Sequence, residues 1–148
     1  MFRFSLSSLL KYRRQVEKIR QQELANSIHT WEQERAKLEH YHRLWRTCLE
    51  EWKAAQTESV AIHEVELYQR YMIRLREEIR YQVDKVKHCL SIIDEKRTQV
   101  LKAQKELKII EKLYSYEYDR YCAEQRYREA RFNDEIATQR HIKKSQIT

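Results

Sequence analysis

The sequence is 148 residues long, with 36% charged and 41% hydrophobic residues, a net charge of +7, and neither glycine nor proline. Compact folds turn often and turns favour those two residues, so their absence excludes a many-turned globule, while apolar residues at regular spacing exclude general disorder. Glycine-rich phosphate loops cannot be built, and Cys48, Cys89 and Cys122, far apart and without a CxxC pair, read as reduced thiols of a cytosolic protein rather than a disulfide frame.

The opening MFRFSLSSLLKYRR has too short and too serine-broken an apolar run for a signal peptide. No stretch approaches the roughly 18 apolar residues of a membrane span, so a cytoplasmic location is expected. A first helix is predicted over about 5–54, with Ser5, Ser7 or Ser8 able to cap it. Leu9 and Val16 are seven apart, as are Tyr12 and Ile19. From Leu24 the stripe runs Leu24, Ile28, Trp31, Arg35, Leu38, His42, Trp45, Leu49, Trp52, which implies a change of phase between Ile19 and Leu24. Residues 1–22 carry Arg3, Lys11, Arg13, Arg14, Lys18 and Arg20 against Glu17 alone. The helix dipole disfavours cations there, so they point either to an acidic partner or to a solvated basic face.

A turn is predicted over about 55–59, where KAAQTES (53–59) has no seam residue and Thr57 or Ser59 can cap a second helix. If the chain reverses there, Ile28 pairs with the region of Val86, Leu38 with Leu75, and Trp45 with Tyr68.

The second helix is predicted over about 60–140. One position recurs every seven residues as Val65, Met72, Ile79, Val86, Ile93, Val100, Leu107, Tyr114 and Tyr121. Three residues after each of the first eight come Tyr68, Leu75, Gln82, Cys89, Lys96, Ala103, Ile110 and Glu117, a seam that is polar in its middle. A 3.5-residue period buries one stripe against another helix. The fold class is therefore all-α: two long helices in an antiparallel coiled-coil hairpin, a single coiled-coil domain over 1–148 with a frayed C-terminus at 141–148.

The arms are unequal, and roughly 30 residues of the second helix are expected to overhang the first by on the order of 45 Å. Tyr114, Tyr118, Tyr121, Tyr127, Phe132 and Ile136 are read there as an aromatic stripe without an intramolecular cover. Burial would stabilise each large side chain by roughly 1.5–3 kcal/mol, so the stripe predicts a partner, with fraying or self-association as the alternatives. Nearer the turn, Tyr41 and Tyr71 are expected at one level beside Leu38, Trp45 and Leu75, an aromatic ledge suited to protein binding.

Catalytic signals are weak. Glu39 and His42 form one Glu-x-x-His, which di-iron bundles need twice, and two helices enclose no pocket, so neither enzyme activity nor a cofactor is expected. Glu117, Asp119, Glu124 and Glu129 interleave with Arg120, Arg126, Arg128 and Arg131, whereas a phosphate-tracking surface excludes acids, so nucleic acid is not the expected partner.

Three blocks resemble the FliJ family of the bacterial flagellar type III export apparatus: Phe2-x-Phe4-x-Leu6-x-x-Leu9-Leu10-x-Tyr12-Arg13, then Glu66-x-Tyr68-x-x-Tyr71-Met72-x-x-Leu75, then Asp134-Glu135-Ile136-Ala137-x-x-Arg140. The resemblance implies a hairpin like the central stalk of rotary ATPases. It implies a non-enzymatic protein that binds a hexameric FliI-like export ATPase, contacts the FlhA-like membrane export gate and assists recycling of export chaperones. By position it implies gate contacts at Leu38, Tyr41, Trp45, Tyr71 and Leu75; Trp45 departs from the smaller aromatic common there. The ATPase-ring contacts would be Arg3, Lys11, Arg13 and Arg14 with Tyr114, Tyr118, Tyr121, Tyr127, Phe132 and Ile136. The protein is then expected to be monomeric alone and peripheral to the inner membrane at the flagellar base. A virulence-type secretion stalk and a generic coiled-coil scaffold are the alternatives; the N-terminal block favours the flagellar one.

Overall fold

A computed structural model of the protein describes residues 1–57 and 59–145, with only the backbone of Lys144. It contains two helices, α1 (Ser7–Ala55) and α2 (Ile62–Ser145), which pack against each other as an antiparallel hairpin. The helix expected to fray from 141 continues through Ser145; residues 146–148, and residue 58 within the expected turn, lie outside the described residues. The chain divides into two units, Met1–Glu17 with Ala103–Thr148, and Lys18–Lys102.

Local chemistry sets the helix ends. The carbonyl of Leu6 accepts from the Leu10 N–H at 2.9 Å, so α1 starts just beyond it. At the other end Thr57 does not cap the next helix: its hydroxyl turns back and donates to Ala54 O at 2.6 Å, closing α1. The Ala61 carbonyl accepts from Glu64 and Val65, and Glu64 places an acid in the first turn of α2, where the helix dipole favours it.

The seam of α2 follows its heptads. Every predicted seam position from Val65 to Ile110 is buried or half-buried, with Leu75, Gln82, Ile93, Val100 and Ala103 the most enclosed. The seam of α1 differs from the expected one. Its covered stripe runs with unbroken 3–4 spacing from Leu6 and Leu10 through Arg13, Glu17, Arg20, Leu24, Ser27, Trp31, Glu34, Leu38, Tyr41 and Trp45 to Cys48, Trp52 and Ala55. There is no change of phase, and Arg35 and His42 are exposed.

Several polar residues on or beside that stripe meet partners on α2. In the Lys18–Lys102 unit, the Gln82 amide donates to Glu34 O at 2.8 Å and to Glu34 Oε2 at 2.6 Å. Glu23 meets Lys96 at 3.3 Å and Arg20 at 3.0 Å, and Arg20 reaches Gln99 Oε1 at 3.3 Å. In the other unit Arg13 pairs with Glu106, and Arg14 with Glu111 at 3.6 Å. A buried polar group is costly unless partnered, and the buried Gln82 amide finds its two Glu34 acceptors in one alignment of the helices.

Candidate functional site

The Glu34–Gln82 pair fixes the level of the ledge. One heptad nearer the turn, Tyr41 comes level with Leu75, the place expected for Leu38, a slip of about 4.5 Å at 1.5 Å per residue. The cause is the turn. The expected reversal at 55–59 is displaced because α1 ends at Ala55 and α2 starts only at Ile62. Tyr68, expected beside Trp45, has the Trp52 ring 5.6 Å away between centroids, about one helical turn beyond the Cys48 level that this alignment gives.

Tyr41 is therefore a half-buried seam residue and Tyr71 an exposed flank residue about one helical turn from its level, so the two tyrosines do not face each other as a pair. Leu75 is only 4% exposed and lies within the seam, while Leu38 and Trp45 are half-buried. What the surface does offer is a shallow groove lined by Trp45, Gln69, Met72, Ile73 and Arg76, continued by a hollow between His42, Trp45, Arg76 and Ile79. Trp45 lines both. Ile73, which the sequence reading passed over, is exposed on this groove; its place outside the heptad was the available signal.

In the other unit the N-terminal segment changes the picture of the overhang. Residues 1–4 are not helical, and extended chain covers roughly twice the length per residue of a helix, so they reach further along α2 than helical spacing allows. Phe4 is buried with its ring 5.2 Å from Tyr114. Phe2 lies 5.6 Å from Tyr114 and 5.4 Å from both Tyr118 and Tyr121. The three tyrosines expected to lack an intramolecular cover therefore have a partial one. Tyr114 and Tyr118 stack in parallel at 6.3 Å, and a hydrogen bond with Cys122 pushes the Tyr118 phenol up from its usual range.

Beyond Tyr121 the helix continues to Ser145 with most of its side chains exposed. Phe132 is 63% exposed and Tyr127 65%. At 3.6 residues per turn, Phe132 and Ile136 share the face of Tyr114, Tyr118 and Tyr121, whereas Tyr127 falls roughly 220° around from Tyr114, with exposed Tyr116. The stripe is thus one residue shorter than expected, and Tyr127 belongs to the opposite face. Of the four N-terminal cations expected at the same contact, Arg13 and Arg14 are engaged by Glu106 and Glu111, while Arg3 and Lys11 are exposed.

The family model described as the flagellar FliJ protein matches residues 2–146, nearly the whole chain and all three blocks. The chain belongs to the FliJ family. No curated protein and no solved structure matches it. As a FliJ-family member it is a flagellar export-related protein, in a family of non-catalytic export components. Among the described residues, no group of three His, Cys, Asp or Glu side chains is placed to hold a metal ion, and no helix is long and apolar enough to cross a membrane. Two surfaces of this FliJ-family chain expose large apolar side chains: the groove at Trp45 and Ile73 in one unit and the Phe132 face in the other.

Proposed function

We propose that this protein acts as a non-enzymatic central stalk of flagellar export: it binds the hexameric FliI-like export ATPase, couples it to the FlhA-like gate at the inner membrane, and assists recycling of export chaperones. The observation that carries the reading is the free stretch of α2 after Tyr121, which stays helical to Ser145 with Phe132 exposed on the same face as three partly covered tyrosines. A helix with few tertiary contacts and exposed aromatic side chains gains from a surrounding socket. Ring contact through Tyr114, Tyr118, Tyr121, Phe132 and Ile136, with Arg3 and Lys11 alongside, fits that chemistry. Tyr127 meets the socket wall from the other face.

For the gate, the groove at Trp45, Met72 and Ile73 offers anchoring side chains, with Tyr71 exposed next to Met72 in sequence, Leu75 buried and Leu38 and Tyr41 half-buried. The test is the activity and ring formation of the cognate export ATPase with wild-type protein and with Phe132→Ser/Ile136→Ser. Stimulation by the wild type that is largely lost in the variant is expected. An active ATPase that ignores the wild-type protein would sink the stalk reading and leave a coiled-coil scaffold. For the gate surface, Tyr71→Ala and Trp45→Ala should each weaken gate binding, and unchanged affinity in both would remove that assignment.

A further inference from the structure

Phe2 and Phe4 are bound in unlike ways. Phe4 is 8% exposed and sits next to the start of α1, where the Ser7 N–H donates to its carbonyl at 3.3 Å. Phe2 is half-buried, lies at the end of a non-helical segment, and makes three ring contacts to one face of α2. One of them, to Tyr121, is the contact nearest the free stretch of the helix. Three helical turns further on, Phe132 continues the same face with no cover. A single aromatic side chain therefore occupies the near end of a face that carries Gln125 and Arg128 after Tyr121 and then the exposed Phe132.

We propose that Phe2 is an internal stand-in for a partner's side chain: it covers the Tyr114–Tyr118–Tyr121 platform in the free chain and is displaced when a partner docks along the face that runs on to Phe132 and Ile136. This rests on the reading of that face as the ATPase-ring contact. It adds that the partner presents an apolar or aromatic side chain level with Tyr121. Phe4 is the anchor that keeps the released segment close. Displacement costs little backbone bonding, because the residues before Phe4 belong to no helical ladder. A site that is occupied by the protein's own segment binds its partner more weakly by the fraction of time it is free.

The experiment uses the full chain with 4-fluorophenylalanine at position 2 and the cognate export ATPase. In the free protein the fluorine resonance should sit at a packed position and move to the solvent value in Tyr118→Ala/Tyr121→Ala. On adding the ATPase it should move to that same solvent value. In the unlabelled chain, Phe2→Ala should tighten ATPase binding by roughly 3- to 10-fold, as expected for removal of a competing occupant. A resonance that stays packed while the ATPase binds overturns the inference and leaves the stalk reading intact, as does weaker binding by Phe2→Ala. Absence of ATPase binding by the wild type overturns both.

Discussion

Gln82, 4% exposed at the centre of the α2 seam, donates its side-chain amide to both the backbone oxygen and the carboxylate of Glu34. Gln82→Ala would remove both bonds and leave a partly covered carboxylate with Lys37 as its remaining partner. A loss of about 1–3 kcal/mol in unfolding free energy is expected by chemical denaturation. Replacing both by Leu should recover the loss and broaden the alignment of the helices, detectable as extra distances between spin labels on α1 and α2 within the Lys18–Lys102 unit. A single sharp distance in the double Leu protein would refute the second part.

Two glutamates make the hairpin acid-sensitive. Hydrogen bonds from Arg20 and then Lys96 hold the Glu23 carboxyl below the usual range, and those from Gln82 and then Lys37 do so for Glu34. Because the folded values are depressed, their stabilisation is complete above the ordinary glutamate value of about 4.3 and is lost as pH falls through the folded values. Thermal unfolding should show a melting temperature insensitive to these groups from pH 7 to about 5 and falling below about 4.3. Glu23→Gln/Glu34→Gln should be flatter in that acid window; an identical slope would show that other carboxyls carry the effect.

Phe4 is the buried anchor of the N-terminal segment, so Phe4→Ala is expected to cost about 3 kcal/mol locally. Amide exchange should accelerate at the start of α1 and around Tyr114, with the Lys18–Lys102 unit unchanged. Faster exchange throughout both units would mean that the segment supports the whole hairpin.

Thiol reactivity should rank the cysteines. Cys48 is 3% exposed, and burial, with the nearby Glu51 charge, pushes its thiol up. Alkylation at pH 8 should therefore modify Cys89 and Cys122, both half-buried, well before Cys48. Mass spectrometry of a time course decides it, and Cys48 reacting first would contradict the seam placement.

The hairpin was legible because α2 writes its seam in apolar residues, from Val65 to Leu107, and a seven-residue period with few exceptions has no other reading. The seam of α1 was not, because Arg13, Glu17, Arg20 and Glu34 hold positions that hydrophobic spacing discards. Partners more than forty residues away, such as Gln82 for Glu34 and Glu106 for Arg13, half-cover them there. Apolar spacing alone puts Arg35 and His42 in the seam in place of Glu34 and Tyr41. The aromatic face at Tyr114 was visible, but not its cover, since no period predicts where a non-helical Phe2 will lie. Tyr127 entered the stripe by proximity in sequence, and the rotation of the helix removes it.

Returning to Glu34 and Gln82, a shift of one heptad in either direction would set the Glu34 carboxylate against Leu75 or Cys89, neither of which can replace the amide. The Lys96 ammonium would lose Glu23 in the same move. Within the Lys18–Lys102 unit the two helices thus have one resting position along their axes, like teeth engaged in a rack. A pull applied to α1 there is handed to α2 as force, because the slippage that would absorb it requires every polar tooth to disengage at once.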